Sequence, residues 1–131
     1  MSAPWATIPE LIDDAASRFP DNEAIADGDV SWTFPQFRAE IHRAAAALIA
    51  TGVEPGDRVA IWAPNCWEWA VAALGVHTAG GIVVPINTRF KGREAAYVME
   101  ASQARLLFTV TDFLDTDYVS LVTDAGLPPK L

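Results

Sequence analysis

DRVAIWAPNCWEWAVAALGVHTAGGIVVPINTRF, residues 57–90, is the stretch whose reading decides the fold. Residues 57–62 read as a strand. Asn65-x-x-Glu68 then reads as the cap of a helix running to about Thr78. That helix is apolar almost all round, with Trp67, Trp69, Val71, Leu74 and Val76 pointing in every direction. A helix of this kind is buried on more than one side. Residues 81–84 follow as a second strand, apolar without alternation, as expected when both faces are covered. Strand, helix and strand in this order and at these lengths make a parallel pair with a right-handed crossover.

The pattern extends outward on both sides. Downstream, a helix of roughly ten residues carries Ala95, Ala96 and Met99, residues 105–109 form a third strand, and a last helix begins after Thr111. Upstream, Ile8, Leu11, Ile12, Ala15, Ala16 and Phe19 recur at helical spacing behind the capping box Thr7-x-x-Glu10, and Pro20 stops that helix. Asp27-Gly28 sits between two short strand-like pieces, a hairpin signal. Thr33-x-x-Gln36 opens a long helix with the stripe Phe34, Phe37, Ile41, Ala45 and Leu48, closed by Gly52. The fold class is therefore α/β, a parallel sheet flanked by helices. The closing Pro128-Pro129 reads as a connection to another element, so the 131 residues are expected to be the N-terminal piece of something larger.

Composition narrows the function. Apolar residues make up 51% of the chain and the formal net charge is −8. A pI near 4.5 argues against nucleic acid, which needs an extended positive surface. The first residues have neither the positive start nor the apolar run of a signal peptide, and no apolar run is long enough for a transmembrane segment. The single Cys66 excludes an internal disulfide and fits a reducing compartment, so a cytoplasmic protein is expected.

In an open parallel sheet, ligands bind beyond the carboxyl ends of the strands. Three loops belong to that rim: residues 63–65, 85–91 and 110–112. The second holds Arg89 and Lys91 and leads to Arg93, so three of the nine basic residues fall within five positions. Beside helix N-termini, which favour anions, such a cluster could meet a phosphate. The alternative is that these cations pair with surface carboxylates such as Glu94 or Glu100. Asn65 reads as a helix cap, Cys66 as a buried thiol, His42 and His77 as packed or surface histidines, and the five tryptophans as packing residues. Asp112, Asp115 and Asp117 lack the glycine and closing glutamate of a calcium loop. There is no G-x-x-x-x-G-K-S/T, no G-x-G-x-x-G and no G-x-S-x-G.

Residues 33–109 resemble the opening of acyl-CoA synthetases (fatty-acid–CoA ligases) of the adenylate-forming, AMP-binding superfamily. An aromatic-rich strand leads into a helix ending in a leucine over residues 32–48, and GV-x-x-GDRVAI follows at 52–61. Then an alanine-glycine pair, Ala79-Gly80, runs into a P-x-N-x-R loop at Pro85, Asn87 and Arg89. The resemblance spans about residues 9–127 and is greatest to fatty-acid–CoA ligases, including the branch acting on steroid-derived alicyclic acids. It implies that residues 1–131 are the N-terminal part of the AMP-binding domain. The rest of that domain and the C-terminal lid domain lie outside these residues. It further implies a ligase using ATP, Mg2+ and coenzyme A to activate a carboxylic acid through an acyl-adenylate, with a homodimer as one possible assembly.

The family's phosphate loop, its T-x-E and its C-terminal lysine do not occur in these residues, so no catalytic residue and no metal ligand is assigned, and the fragment alone is expected to be inactive. By the resemblance, Arg89 meets a phosphate at the nucleotide end of coenzyme A, with Asn87 and Lys91 as neighbours. Two other classes stand beside this reading: a stand-alone α/β module holding a small anion at its rim, and a non-catalytic interaction fragment.

Overall fold

Thr7 opens the first helix by the exchange its sequence predicts. In the computed structural model, which describes residues 4–131, the Thr7 hydroxyl accepts from the Glu10 N–H at 3.3 Å. Glu10 Oε2 accepts in return from the Thr7 N–H at 3.2 Å. Helix α1 (Ile8–Arg18) has no fully buried residue; it lies against later helices as an outer layer. Strands β1 (Glu23–Asp27) and β2 (Val30–Thr33) pair antiparallel around Gly28, whose φ of +56° suits a residue without a side chain. Helix α2 (Phe34–Ala50) follows directly, with the Thr33 N–H donating to Gln36 Oε1 at 2.9 Å. Its stripe Ile41, Ala45 and Leu48 is buried as the periodicity requires.

The second half alternates strand and helix: β3 (Arg58–Trp62), α3 (Trp67–Thr78), β4 (Ile82–Pro85), α4 (Gly92–Ser102), β5 (Leu106–Thr109) and α5 (Tyr118–Ala125). The three strands form a parallel sheet in the order β4-β3-β5, with Val59 opposite both Val83 and Leu106. The central strand explains the unbroken apolar run: Val59, Ala60, Ile61 and Trp62 are all at most 1% exposed. Their side chains alternate between two cores. Val59 packs with Ala45, Leu48 and Val76 of α2 and α3. Ala60 and Trp62 pack with Met99, Tyr118 and Val122 of α4 and α5. The sheet is thus sandwiched between two helical layers. Burying each large side chain of these cores contributes about 1.5–3 kcal/mol, against roughly 0–1 kcal/mol for an exposed ion pair such as Arg18–Asp14. The two cores hold the fold.

Close helix packing depends on two glycines. A Cβ on Gly75 would stand 2.8 Å from the Ala44 Cβ, where α3 crosses α2. One on Gly92 would stand 2.1 Å from the Leu121 carbonyl oxygen, where α4 meets α5.

Polar contacts tie the amino end of the sheet. Arg58 donates to the Ser102 carbonyl at 2.7 Å, the Gly56 carbonyl at 3.0 Å and Gln103 Oε1 at 3.1 Å. Arg105 pairs with Asp57 at 2.7 Å. No helix among the described residues is long and apolar enough to cross a membrane.

Candidate functional site

Chain order creates a cleft at the other end of the sheet. The crossover from β3 to β4 runs through α3 on one face. The crossover from β4 back to β5 runs through α4 on the opposite face, as same-handed connections in opposite directions must. The loops leaving the carboxyl ends of the adjacent strands β3 and β4 therefore diverge, and a crevice opens between them. It measures about 430 Å³ and is lined by residues 63–65 and 85–88 with Trp69 and Phe113. Two of the three rim loops expected from the sequence meet here. The third contributes Phe113 rather than residues 110–112.

Asn87 and Asn65 line this cleft, whereas Arg89 and Lys91 are exposed on the turn beyond it. Asn87 Oδ1 accepts the Arg89 N–H at 2.9 Å, a local turn that leads the chain out from β4 to the arginine. The expected counter-charges do not engage. Among the described residues, ion pairs are made by Arg18, Arg38, His42, Arg43 and Arg105, and none by Arg89, Lys91 or Arg93. Glu94, the nearest carboxylate in sequence, turns to its own helix start and accepts the Lys91 N–H at 2.8 Å. The guanidinium of Arg89 thus has no carboxylate within ion-pair distance among the described residues.

The helix N-termini on this rim differ from expectation. Each already holds a carboxylate from this chain. Trp67 N–H, the first of α3, donates to the Asp27 carboxylate at 2.8 Å. The N-cap of α3 is Cys66, not Asn65, and its side chain accepts no capping bond. Glu94 serves α4, and Asp117 caps α5 by accepting the Ser120 N–H at 3.0 Å. The Ser120 hydroxyl, donating at 2.7 Å, and that N–H lower the Asp117 pKa. Any anion at this rim is drawn by side-chain cations rather than by vacant helix ends.

The remaining candidates stay structural. Cys66 is half-buried, and burial pushes its thiol pKa up, with Glu68 adding to the rise. His42 Nε2 lies 3.7 Å from the Asp13 carboxylate on the surface. No three of His, Cys, Asp and Glu converge among the described residues.

Two buried aromatic side chains, one of them a tryptophan expected only to pack, turn out to serve the rim. Trp62 Nε1 donates to the Asn87 carbonyl at 3.0 Å, and the Tyr118 hydroxyl donates to the Thr88 carbonyl at 3.1 Å. No local signal marks them, because their acceptors lie 25 and 30 positions away.

Residues 12–129 match the family described as AMP-binding enzyme. The chain belongs to that family. Among similar proteins is the 3-[(3aS,4S,7aS)-7a-methyl-1,5-dioxo-octahydro-1H-inden-4-yl]propanoyl:CoA ligase of Mycobacterium tuberculosis, 43% identical over 93% of this chain. The ligase of the same name from Rhodococcus jostii is 46% identical over 88% of it. The chain spans 24% and 22% of these two relatives' lengths. An inhibitor-bound crystal structure of the N-terminal domain of FACL13 from Mycobacterium tuberculosis superposes with a TM-score of 0.86 at 27% identity. That match covers 95% of this chain and 31% of the other. The fold expected from the resemblance, the opening of an AMP-binding enzyme's large domain, is the fold observed.

Proposed function

We propose that this chain is the N-terminal part of a carboxylic acid:CoA ligase whose acid is a fused-ring alicyclic propanoic acid. The observation that carries the proposal is 43–46% identity, over about nine-tenths of the chain, to two ligases whose names specify such an acid. Within the whole enzyme, the acid is activated with ATP to an acyl-adenylate and the acyl group passes to coenzyme A. The family's phosphate loop does not occur in residues 1–131, and this reading assigns the nucleotide and its ion to other parts of the enzyme. Residues 1–131 are the first part of the AMP-binding domain in this reading. A cytoplasmic location, suggested by the single cysteine, and a homodimeric assembly, suggested by the family resemblance, belong to it as well.

The contribution of these residues is a cation at the rim. Arg89 is exposed, unpaired among the described residues and led out of β4 by the Asn87 turn, which suits it to a phosphate at the nucleotide end of coenzyme A. Asn87 lines the adjoining cleft, and Lys91 adds charge nearby.

Coupled formation of the acyl-CoA by the whole enzyme, supplied with ATP, coenzyme A and a bicyclic propanoic acid, tests the substrate class. Turnover of straight-chain acids with none of the bicyclic acid would overturn that choice. Arg89→Ala tests the site. It should raise KM for coenzyme A about five- to thirtyfold, the cost of one charge-assisted contact, and leave pyrophosphate exchange without coenzyme A within about twofold. Equal losses in both half-reactions would return Arg89 to a structural role.

A further inference from the structure

We infer that Trp62 and Tyr118 are positioning residues for the coenzyme A rim. Together they fix the backbone of residues 87–88 from beneath and so aim Arg89. Both side chains are buried to within 1% of full coverage, and each spends its one polar hydrogen on a carbonyl of the same loop. Trp62 Nε1 reaches the Asn87 oxygen at 3.0 Å, and the Tyr118 hydroxyl reaches the Thr88 oxygen at 3.1 Å. The two rings meet edge to face with centroids 4.6 Å apart at 83°, so neither donor can turn away without disturbing the other ring.

Each donor is itself anchored. Thr109 Oγ1 donates to the Trp62 carbonyl at 2.8 Å, tying β5 to the end of β3. Tyr118 is the first residue of α5, directly after the Asp117 cap. The loop is therefore gripped from two elements outside its own strand. Above these bonds, the Asn87 carbonyl also accepts the Phe90 N–H at 3.0 Å, and Asn87 Oδ1 holds the Arg89 N–H at 2.9 Å. Consecutive carbonyls fixed below and a side-chain turn above leave Arg89 little beyond its own rotamers to order when a phosphate arrives. Supporting residues of this kind add affinity by lowering the ordering cost rather than by touching the ligand.

Where this concerns coenzyme A, it rests on the functional reading above, and the test has two arms that fail separately. The first needs no substrate. Tyr118→Phe keeps the ring and removes one donor, and trypsin reports the loop through the exposed Arg89–Phe90 bond. Cleavage there should accelerate about three- to tenfold, while cleavage at Arg18 and Arg43 stays at the wild-type rate. Acceleration at all sites alike would reflect general destabilisation and overturn the inference, as would no acceleration at Arg89.

The second arm uses the whole ligase. Tyr118→Phe should raise KM for coenzyme A about two- to fivefold with kcat for adenylation unchanged, and adding it to Arg89→Ala should produce no further rise. If Arg89→Ala raises that KM and Tyr118→Phe does not, the positioning role is overturned. If Arg89→Ala itself has no effect, the coenzyme A assignment fails, and the grip on the loop stands or falls by the proteolysis alone.

Discussion

The Asp27 carboxylate accepts the Trp67 backbone N–H at 2.8 Å across 40 positions of sequence, and so the hairpin caps the helix that follows β3. Trp32 of β2 reinforces the join, meeting the Trp67 ring edge-on with centroids 5.0 Å apart. Asp27→Ala should therefore cost about 1 kcal/mol, the usual loss of a cap, and lower the thermal midpoint. Amide exchange at Trp67 should speed up, while Asp27→Asn, which keeps an acceptor, should retain most of the stability. An unchanged midpoint and unchanged exchange in Asp27→Ala would show the contact to be idle.

Asp57 carries a pH signature. Its pKa lies below the usual carboxylate value, first because the Glu54 N–H donates to Oδ2 at 2.9 Å and further because of Arg105; burial acts against both. A folded-state pKa below the unfolded one gives stability that is present above about pH 4 and lost as pH falls through the folded value. Wild type should be more stable than Asp57→Asn at neutral pH, and the two should converge in acid. Denaturation curves at a series of pH values check this; a gap that stays constant down to the lowest pH would exclude it.

Gly92 faces the tightest contact of any glycine in the fold. Since its added Cβ would stand 2.1 Å from the Leu121 carbonyl oxygen, α4 and α5 must separate to admit Ala. Gly92→Ala should cost about 3 kcal/mol or more, read by chemical denaturation. Gly126→Ala is the control: its Cβ would meet nothing within 4 Å, and only the backbone at φ +93° resists. A smaller loss at Gly92 than at Gly126 would refute the packing account.

Cys66 should react slowly for a thiol. Burial raises its pKa, so less thiolate is present near neutral pH than on a free cysteine. Its reaction with a disulfide reagent should lag that of the same chain in denaturant, and Glu68→Gln should narrow the gap, because Glu68 adds to the shift. A native rate equal to the denatured one would count against this.

The layers of the fold were legible because their signals are local. Capping boxes, apolar stripes and the two-sided apolar run of residues 59–62 all act within a few positions. The second strand lies one residue later than its apolar run predicts, at Ile82–Pro85, and it is an edge strand with Ile82 50% exposed rather than covered on both faces. Pro85 fits there because the bonds to β3 run through the Ile82 and Ile86 N–H groups. Asn65 looked like the cap of α3, but the N-cap is Cys66 and the Trp67 N–H goes to Asp27, far away in sequence. The rim cation was visible as composition. Its freedom was not, because whether Glu94 turns to Arg89 or to the Lys91 backbone is decided by the course of the turn. The supports at Trp62 and Tyr118 were hidden for the same reason: a core aromatic and a loop-gripping aromatic read alike until the chain closes.

Arg58 gives the sheet unequal ends. Its guanidinium fork joins the Gly56 turn to the last turn of α4, and Asp57 with Arg105 clasps β3 to β5 beside it, so the amino end is already fully engaged with itself. The carboxyl end leaves Arg89 unengaged. Substitutions should sort along the strand axis accordingly. Damage near Arg58 should appear as lost yield of folded protein at every substrate concentration, and damage near Arg89 as a shifted concentration dependence in protein that folds normally. One strand's length separates variants that a cell would degrade from variants it would keep and find slow.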